Sequence, residues 1–359
     1  MDFRTLLKPG AVALALSMTI PNVVQAKDPM PVVATFSILG DLVKNIGGEH
    51  VSLKTLVGPD GDTHVYKPTP ADAAAVSRAK VLFVNGLGFE GWIDRLVSSS
   101  GFKGTRIVST KGIDVIPLEE DEHHGEGHDD HKGHDDHKGH DDRKGHDDHK
   151  GHADHKGHAD HKDHGDKKHE EHKDDKHAGH DHGQFDPHAW HSPKNIVIYA
   201  DNIAAALAKA DPANAADYYK KRATFVAKVE TLDANIKTRS EALPLTARTV
   251  VTSHDAFGYF AKRYGLKFEA PQGMSTESQA SAKDVAKLIK QIRKEKISAV
   301  FIESVTDNRL MQQIVRETEA VIGGKLYAGA LSGPAGPASS YLDMMRHNSS
   351  TIVKALRKP

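Results

Sequence analysis

The chain has 359 residues, 25 of them histidine, no cysteine, and a formal net charge of -1 with histidine neutral. The lack of cysteine excludes a disulfide scaffold, thiolate zinc fingers, iron–sulfur clusters and cysteine nucleophiles. No compact run of Lys/Arg with interleaved aromatics is present, which argues against a nucleic-acid partner.

In chain order, Arg4 and Lys8 precede an apolar run over 11–20, and Val24-Gln25-Ala26 supplies small residues before a cut. This is the pattern of a secretory signal over 1–26, cleaved after Ala26, and it is too short for the ~20 apolar residues of a membrane span. The mature protein is expected to be exported. With no cysteine for a lipid anchor, a Gram-negative periplasm is the expected compartment.

Beyond the signal, strand-like and helix-like segments alternate. Residues 32–36, 51–57, 81–85 and 106–109 read as strands, with helices over 37–46, 70–78 and 91–98 and Ser37 as a helix cap. Residues 193–209 carry apolar positions at helical spacing. Pro212 opens a helical pattern that runs to about Leu243, where Pro244 stops it. The second half repeats the theme, with strands at 249–253, 266–270, 299–303 and 325–330. Its helices fall at 255–264, 282–294, 309–322 and from about Ser340 onward. The pattern predicts an α/β fold of two lobes, each with a mainly parallel sheet flanked by helices, joined by a long rigid helix. The expected organisation is a signal at 1–26, an N-terminal lobe at 27–210, a linking helix at 211–243 and a C-terminal lobe at 244–359.

A His-rich insert at 119–183 interrupts the first lobe. All but six of the histidines fall in it, with 22 acidic and 11 basic residues for a net of -11. From Gly127 six hexads follow one another, four of the type GHDDHK or GHDDRK and two GHADHK. So few apolar residues cannot offset the entropy of ordering the chain, which predicts a disordered loop. Imidazoles and carboxylates in each hexad are ligands for Zn²⁺ and its divalent neighbours. Weak metal sites are therefore expected at His123, His124, His128, His131, His134, His137, His140, His146, His149, His152, His155, His158, His161 and His164.

Three histidines outside the insert stand in loops that follow strands. His64 lies in GDTHVYKP (61–68), His188 in DPHAWHSP (186–193), where the chain leaves the insert, and His254 follows the strand VVTS (250–253). Loops beyond the carboxyl ends of strands line the ligand crevice of open α/β sheets, and three imidazoles meeting there would hold zinc. His191, two residues beyond His188, is the weaker candidate, and His50 and His347 read as structural. No HExxH motif and no Glu adjacent to a His motif points to a zinc hydrolase.

These motifs, with the signal, SHDAFGYF at 253–260 and FIES at 301–304, resemble one family. It is the periplasmic metal-binding proteins of zinc and manganese ABC transporters, specifically the zinc-uptake ZnuA type with its His-rich loop. The resemblance covers essentially the whole mature chain. It implies Zn²⁺ as the transported ligand in an interlobe cleft, no catalytic turnover, and delivery to the membrane permease of a zinc ABC transporter. Other periplasmic zinc chaperones are further partners in this reading, and a monomer is expected. Motif by motif, the resemblance puts the ligand role on His64, His188 and His254. Manganese-type relatives often carry a carboxylate where His254 stands. Many relatives also supply an acid from the loop before the last helix, whereas SGPAGPASS (332–340) has none here, and Thr63 stands where another zinc-type relative has Glu. Water is therefore the expected fourth donor, ahead of Asp62, with Glu303 as a supporting acid.

Overall fold

A computed structural model describes residues 28–118 and 184–357. The expected signal and the expected loop over 119–183 lie outside the described residues. The first sheet is built from β1 (Met30–Phe36), β2 (Val51–Val57), β3 (Val81–Val84) and β4 (Thr105–Val108). It is parallel throughout, in the order β2-β1-β3-β4. β1 and β3 are apolar and buried with almost no alternation, as central strands covered on both faces must be. Helices α1 (Ser37–Gly47), α2 (Pro70–Arg78) and α3 (Ile93–Ser100) connect these strands.

After the insert come α4 (Pro193–Ala210) and α5 (Ala215–Glu241). The second sheet has β5 (Thr249–Val251), β6 (Lys267–Glu269), β7 (Ala299–Glu303) and β8 (Val321–Leu326). It is again parallel, in the order β6-β5-β7-β8, with α6 (Gly258–Tyr264), α7 (Ala282–Glu295), α8 (Arg309–Glu317) and α9 (Tyr341–Leu356) around it. Each sheet reverses its winding direction beside its first strand, and that reversal opens a crevice at the carboxyl ends of the strands.

Along the second sheet, side chains alternate between two cores. Val250 and Phe301 join the apolar core shared with the first sheet, α4 and α5. Val251 and Val300 face a smaller core with Leu288, Ile292 and Met311 under α7 and α8. α5 spans 27 residues, ~40 Å at 1.5 Å per residue. It buries one stripe, Tyr218, Phe225, Val226, Val229, Leu232 and Ile236, against helices of both lobes. Among the described residues no helix is long and apolar enough to cross a membrane.

Three local expectations are corrected. The predicted helix over 309–322 ends at Glu317, and Val321-Ile322 open β8 instead, because a β-branched pair followed by Gly323-Gly324 favours an extended chain. The start of the long helix is a separate 3₁₀ turn, Pro212–Asn214. Ser37 does not cap α1: its hydroxyl accepts from the backbone N–H of Leu331, tying the first lobe to the loop after β8.

Candidate metal centre

His254 stands three residues past the end of β5, beside the last residue of β7, Glu303. Glu303 Oε1 accepts the backbone N–H groups of Ser253 (2.8 Å) and His254 (3.0 Å), which fixes the turn. Its Oε2 lies 2.5 Å from His254 Nδ1, and both side chains are buried. The carboxylate thus aims the other ring nitrogen, Nε2, into the crevice.

His188 is placed where the chain returns from the insert. Leu118 N–H donates to Gln184 O and Asp186 N–H to Ile116 O, so the departing and returning chains pair at the base of the insert. Asp186 Oδ1 then accepts from the His188 backbone (2.8 Å) and lies 2.9 Å from its Nδ1. Asn85, just past β3, donates to Pro187 O at 2.9 Å, and Tyr259 OH donates to Asp186 O at 3.1 Å. α6 comes so close that a Cβ at Gly258 would fall 2.6 Å from Asp186 Oδ2.

His64 is the half-buried member, on the loop after β2. Its backbone N–H donates to Asp62 Oδ1 at 3.0 Å, its ring packs edge-on against Phe89, and Trp92 holds the neighbouring Thr63 carbonyl. The three rings converge. His64 Nε2 and His188 Nε2 are 3.3 Å apart, and one nitrogen from each of His64, His188 and His254 lies within 4.8 Å of the others. His254 Nε2 is buried with no hydrogen-bond partner among the described residues, a lone pair that a native site leaves bare only for a reason.

Electrostatics separates the three. Burial, reinforced by repulsion from His188 and His254, drives the His64 pKa down to about 2. Burial likewise holds His188 well below the usual histidine value. Burial also pulls on His254, but the charge and hydrogen bond of Glu303 outweigh it, and the net shift is upward. The Asp186 carboxyl, desolvated by burial, is raised to about 6. Two imidazoles are therefore neutral and able to ligate, and His254 is the one whose affinity for a proton is increased.

Asp62 is not part of the cluster. Its Oδ1 serves the His64 backbone and its Oδ2 accepts from the Thr276 hydroxyl at 2.6 Å, so it supports the loop and does not face the three nitrogens. His191 lies 3.0 Å from Ala328 O through Nε2 and stacks on Phe257 at 4.4 Å, outside the cluster. His347 sits against Lys325 O, and His50 against Asp217. The fourteen insert histidines expected as weak metal sites lie outside the described residues. Sequence reasoning missed the supporting role of Asp186, although an acid two residues before a histidine was a usable signal, and that of Asn85, which carried none.

Residues 32–355 match the family model described as zinc-uptake complex component A, periplasmic, ZnuA. The chain belongs to the ZnuA family. It is similar to the iron-binding protein YfeA of Yersinia pestis, 29% identical over 323 residues, covering 90% of this chain and 85% of that one. Among solved structures it resembles the periplasmic zinc binding protein TroA of Treponema pallidum, with a TM-score of 0.71 and 26% identity over 92% of this chain and all of that one. It also resembles the Mn-bound periplasmic metal binding protein of candidatus liberibacter asiaticus, with a TM-score of 0.69 and 28% identity over 91% and 99% of the two chains. The chain is accordingly the substrate-binding component of a metal ABC importer and not an enzyme. It works outside the cytoplasmic membrane and hands its metal to a membrane permease.

Proposed function

We propose that this chain captures Zn²⁺ in the periplasm, after removal of residues 1–26, and delivers it to the permease of a zinc importer. The observation that carries the reading is the donor set: three imidazole nitrogens meet, and among the described residues no carboxylate joins them. Imidazole suits zinc, whereas manganese favours carboxylate, carbonyl and water oxygens. The 3.3 Å between His64 and His188 nitrogens also matches the edge of a tetrahedron whose centre lies ~2.0–2.1 Å from each donor. Water supplies the fourth donor. The insert acts as an antenna: tethered at 116–118 and 184–186, it converts capture into transfer at effective concentrations up to roughly millimolar while each of its own sites binds weakly.

Equilibrium titration with Zn²⁺ and Mn²⁺, on the full chain and on a chain lacking 119–183, tests both parts. The full chain should show one tight zinc site and several weak ones, with Mn²⁺ displaced by equimolar Zn²⁺. Deletion should remove the weak sites and leave the tight affinity within a few-fold. A tight site that prefers Mn²⁺ refutes the zinc reading, and a hundredfold loss on deletion refutes the antenna.

A further inference from the structure

The three imidazoles are not equally held. His188 and His254 are buried and each has a carboxylate oxygen at its outer ring nitrogen, Asp186 and Glu303 respectively. His64 is half-buried, and among the described residues no carboxylate pairs with its ring. Its position depends on its backbone, which hydrogen-bonds to Asp62. Asp62 in turn reaches across the cleft: Oδ2 accepts from the hydroxyl of Thr276, in the loop between β6 and α7 of the other lobe. The same loop of the first lobe makes a second crossing through Asp60, in a left-handed conformation at φ 56°. Its N–H donates to Leu331 O and its Oδ2 accepts from Gly333 N–H. The segment that carries His64 is therefore pinned at Asp60 and regulated at Asp62, two residues from the ligand.

We propose that Asp62 and Thr276 form an interlobe latch that sets the rate at which the bound metal leaves. Asp62 is a positioning residue acting through His64, and Thr276 is the contact by which the second lobe grips it. The inference rests on the three-histidine site proposed above. While the latch is closed, a carboxylate that holds the His64 N–H with one oxygen and a hydroxyl with the other cannot swing, and the backbone that carries the imidazole is held in place. When it opens, His64 is the ligand free to withdraw, because among the described residues no carboxylate braces its ring, which has the edge-on contact with Phe89 to hold it. Metal release then begins at the His64 corner, while His188 and His254 stay in place.

The test is stopped-flow release from full-length protein loaded with one equivalent of Zn²⁺ and mixed with excess chelator, together with the association rate. Thr276→Val keeps the shape and removes the donor. It should speed release about tenfold or more, the scale of one lost hydrogen bond to a charged group, and leave association within about twofold. Thr276→Ser restores the hydroxyl and should restore slow release, which a general loss of packing would not do. Asp62→Asn keeps an acceptor for the His64 N–H and can donate to the Thr276 oxygen, so its equilibrium affinity should fall by less than about tenfold. Unchanged release in Thr276→Val, equally fast release in Thr276→Ser, or a larger loss in Asp62→Asn overturns the latch, the last by making Asp62 a metal ligand. His188→Ala separates the underlying reading. If it leaves the tight site intact, the three-histidine site itself is wrong. If it abolishes that site while Thr276→Val releases metal normally, only the latch falls.

Discussion

Replacing Glu303 by glutamine tests how far the electrostatics behind one imidazole controls the metal. With a metal on His254 Nε2, the ring must carry its proton on Nδ1, which then points at Glu303 Oε2. Glu303→Gln can keep its oxygen on the Ser253 and His254 backbone N–H groups, so the turn should survive. Its amide would then set a donor against the Nδ1–H donor in a site from which water is excluded. Loss of such a partner behind a metal-bound histidine costs ~10–100-fold in affinity. Because Glu303 is fully buried, the upper half of that range applies, about thirtyfold or ~2 kcal/mol. The variant should also change the pH dependence. In the metal-free protein Glu303 raises the His254 pKa, so metal competes with that proton, and affinity falls as pH drops below the raised value. Without the carboxylate, burial is opposed only by the smaller effects of the Asp62 and Asp255 charges, so the His254 pKa should fall and the dependence flatten near neutrality. Chelator-competition titrations at pH 6 and pH 8, with a thermal melt to verify folding, measure both effects. A folded variant that binds zinc within twofold of the parent at pH 8, with an unchanged pH slope, refutes the reasoning.

His64→Ala, His188→Ala and His254→Ala should each weaken the tight zinc site tenfold or more in the same titration, and any one that leaves it unchanged removes that residue from the site. His191→Gln should keep zinc affinity within about threefold and make the metal-free protein less acid-labile. The burial-lowered pKa of His191 adds stability above its unfolded value of 6.5 that is lost as pH falls, ~2 kcal/mol by pH 5, and urea unfolding at pH 7 and 5 should show the variant spared that loss. Gly258→Ala should push a methyl against Asp186 Oδ2, displace His188 and weaken zinc binding about tenfold, and a titration matching the parent would show that Asp186 does not position His188.

The parallel sheets were legible because β1, β3 and the core of β7 are short buried runs bounded by helix signals, and because strands and helices strictly alternate. The helix expected over 309–322 overran for a local reason. Residues 318–322 continue an apolar spacing compatible with a helix, and only pairing of β8 with β7 decides for a strand. The three clustered histidines were legible from their motifs, two of them after strands and one where the chain leaves the insert. What was not legible is what a side chain does across the chain. The Ser37 hydroxyl could have capped its own helix, but Leu331, nearly three hundred residues away, takes it. Asp62 carries the charge of a ligand, and only the arrival of Thr276 from the other lobe explains why it faces elsewhere. Asn85 has no signal in the sequence, since its role depends on Pro187 O lying within reach. Periodicity reports burial and local turns; partners contributed by distant segments are set by packing.

The division of labour among the three imidazoles bears on how the site can work where pH is not controlled. If all three histidines titrated at the usual value near 6.5, a metal arriving at pH 5.5 would have to displace three protons, and affinity would drop roughly a thousandfold per pH unit. Burial has already taken that cost out of His64 and His188 by keeping them neutral well below that range. The remaining proton competition falls on His254, whose pKa Glu303 raises while the same carboxylate aims its other ring nitrogen. With one such group instead of three, the penalty is no more than roughly tenfold per unit. The price falls on folding, since two neutral imidazoles must be held in a crevice with their ring nitrogens 3.3 Å apart. The pairing at the base of the insert, the Asp186 and Asn85 bonds and the continuous core along α5 supply the rigidity that arrangement requires. In the proposed site, a pocket pre-formed on both lobes needs one member that can move for metal to enter and leave, and His64 is the least buried of the three and the one with no carboxylate at its ring among the described residues.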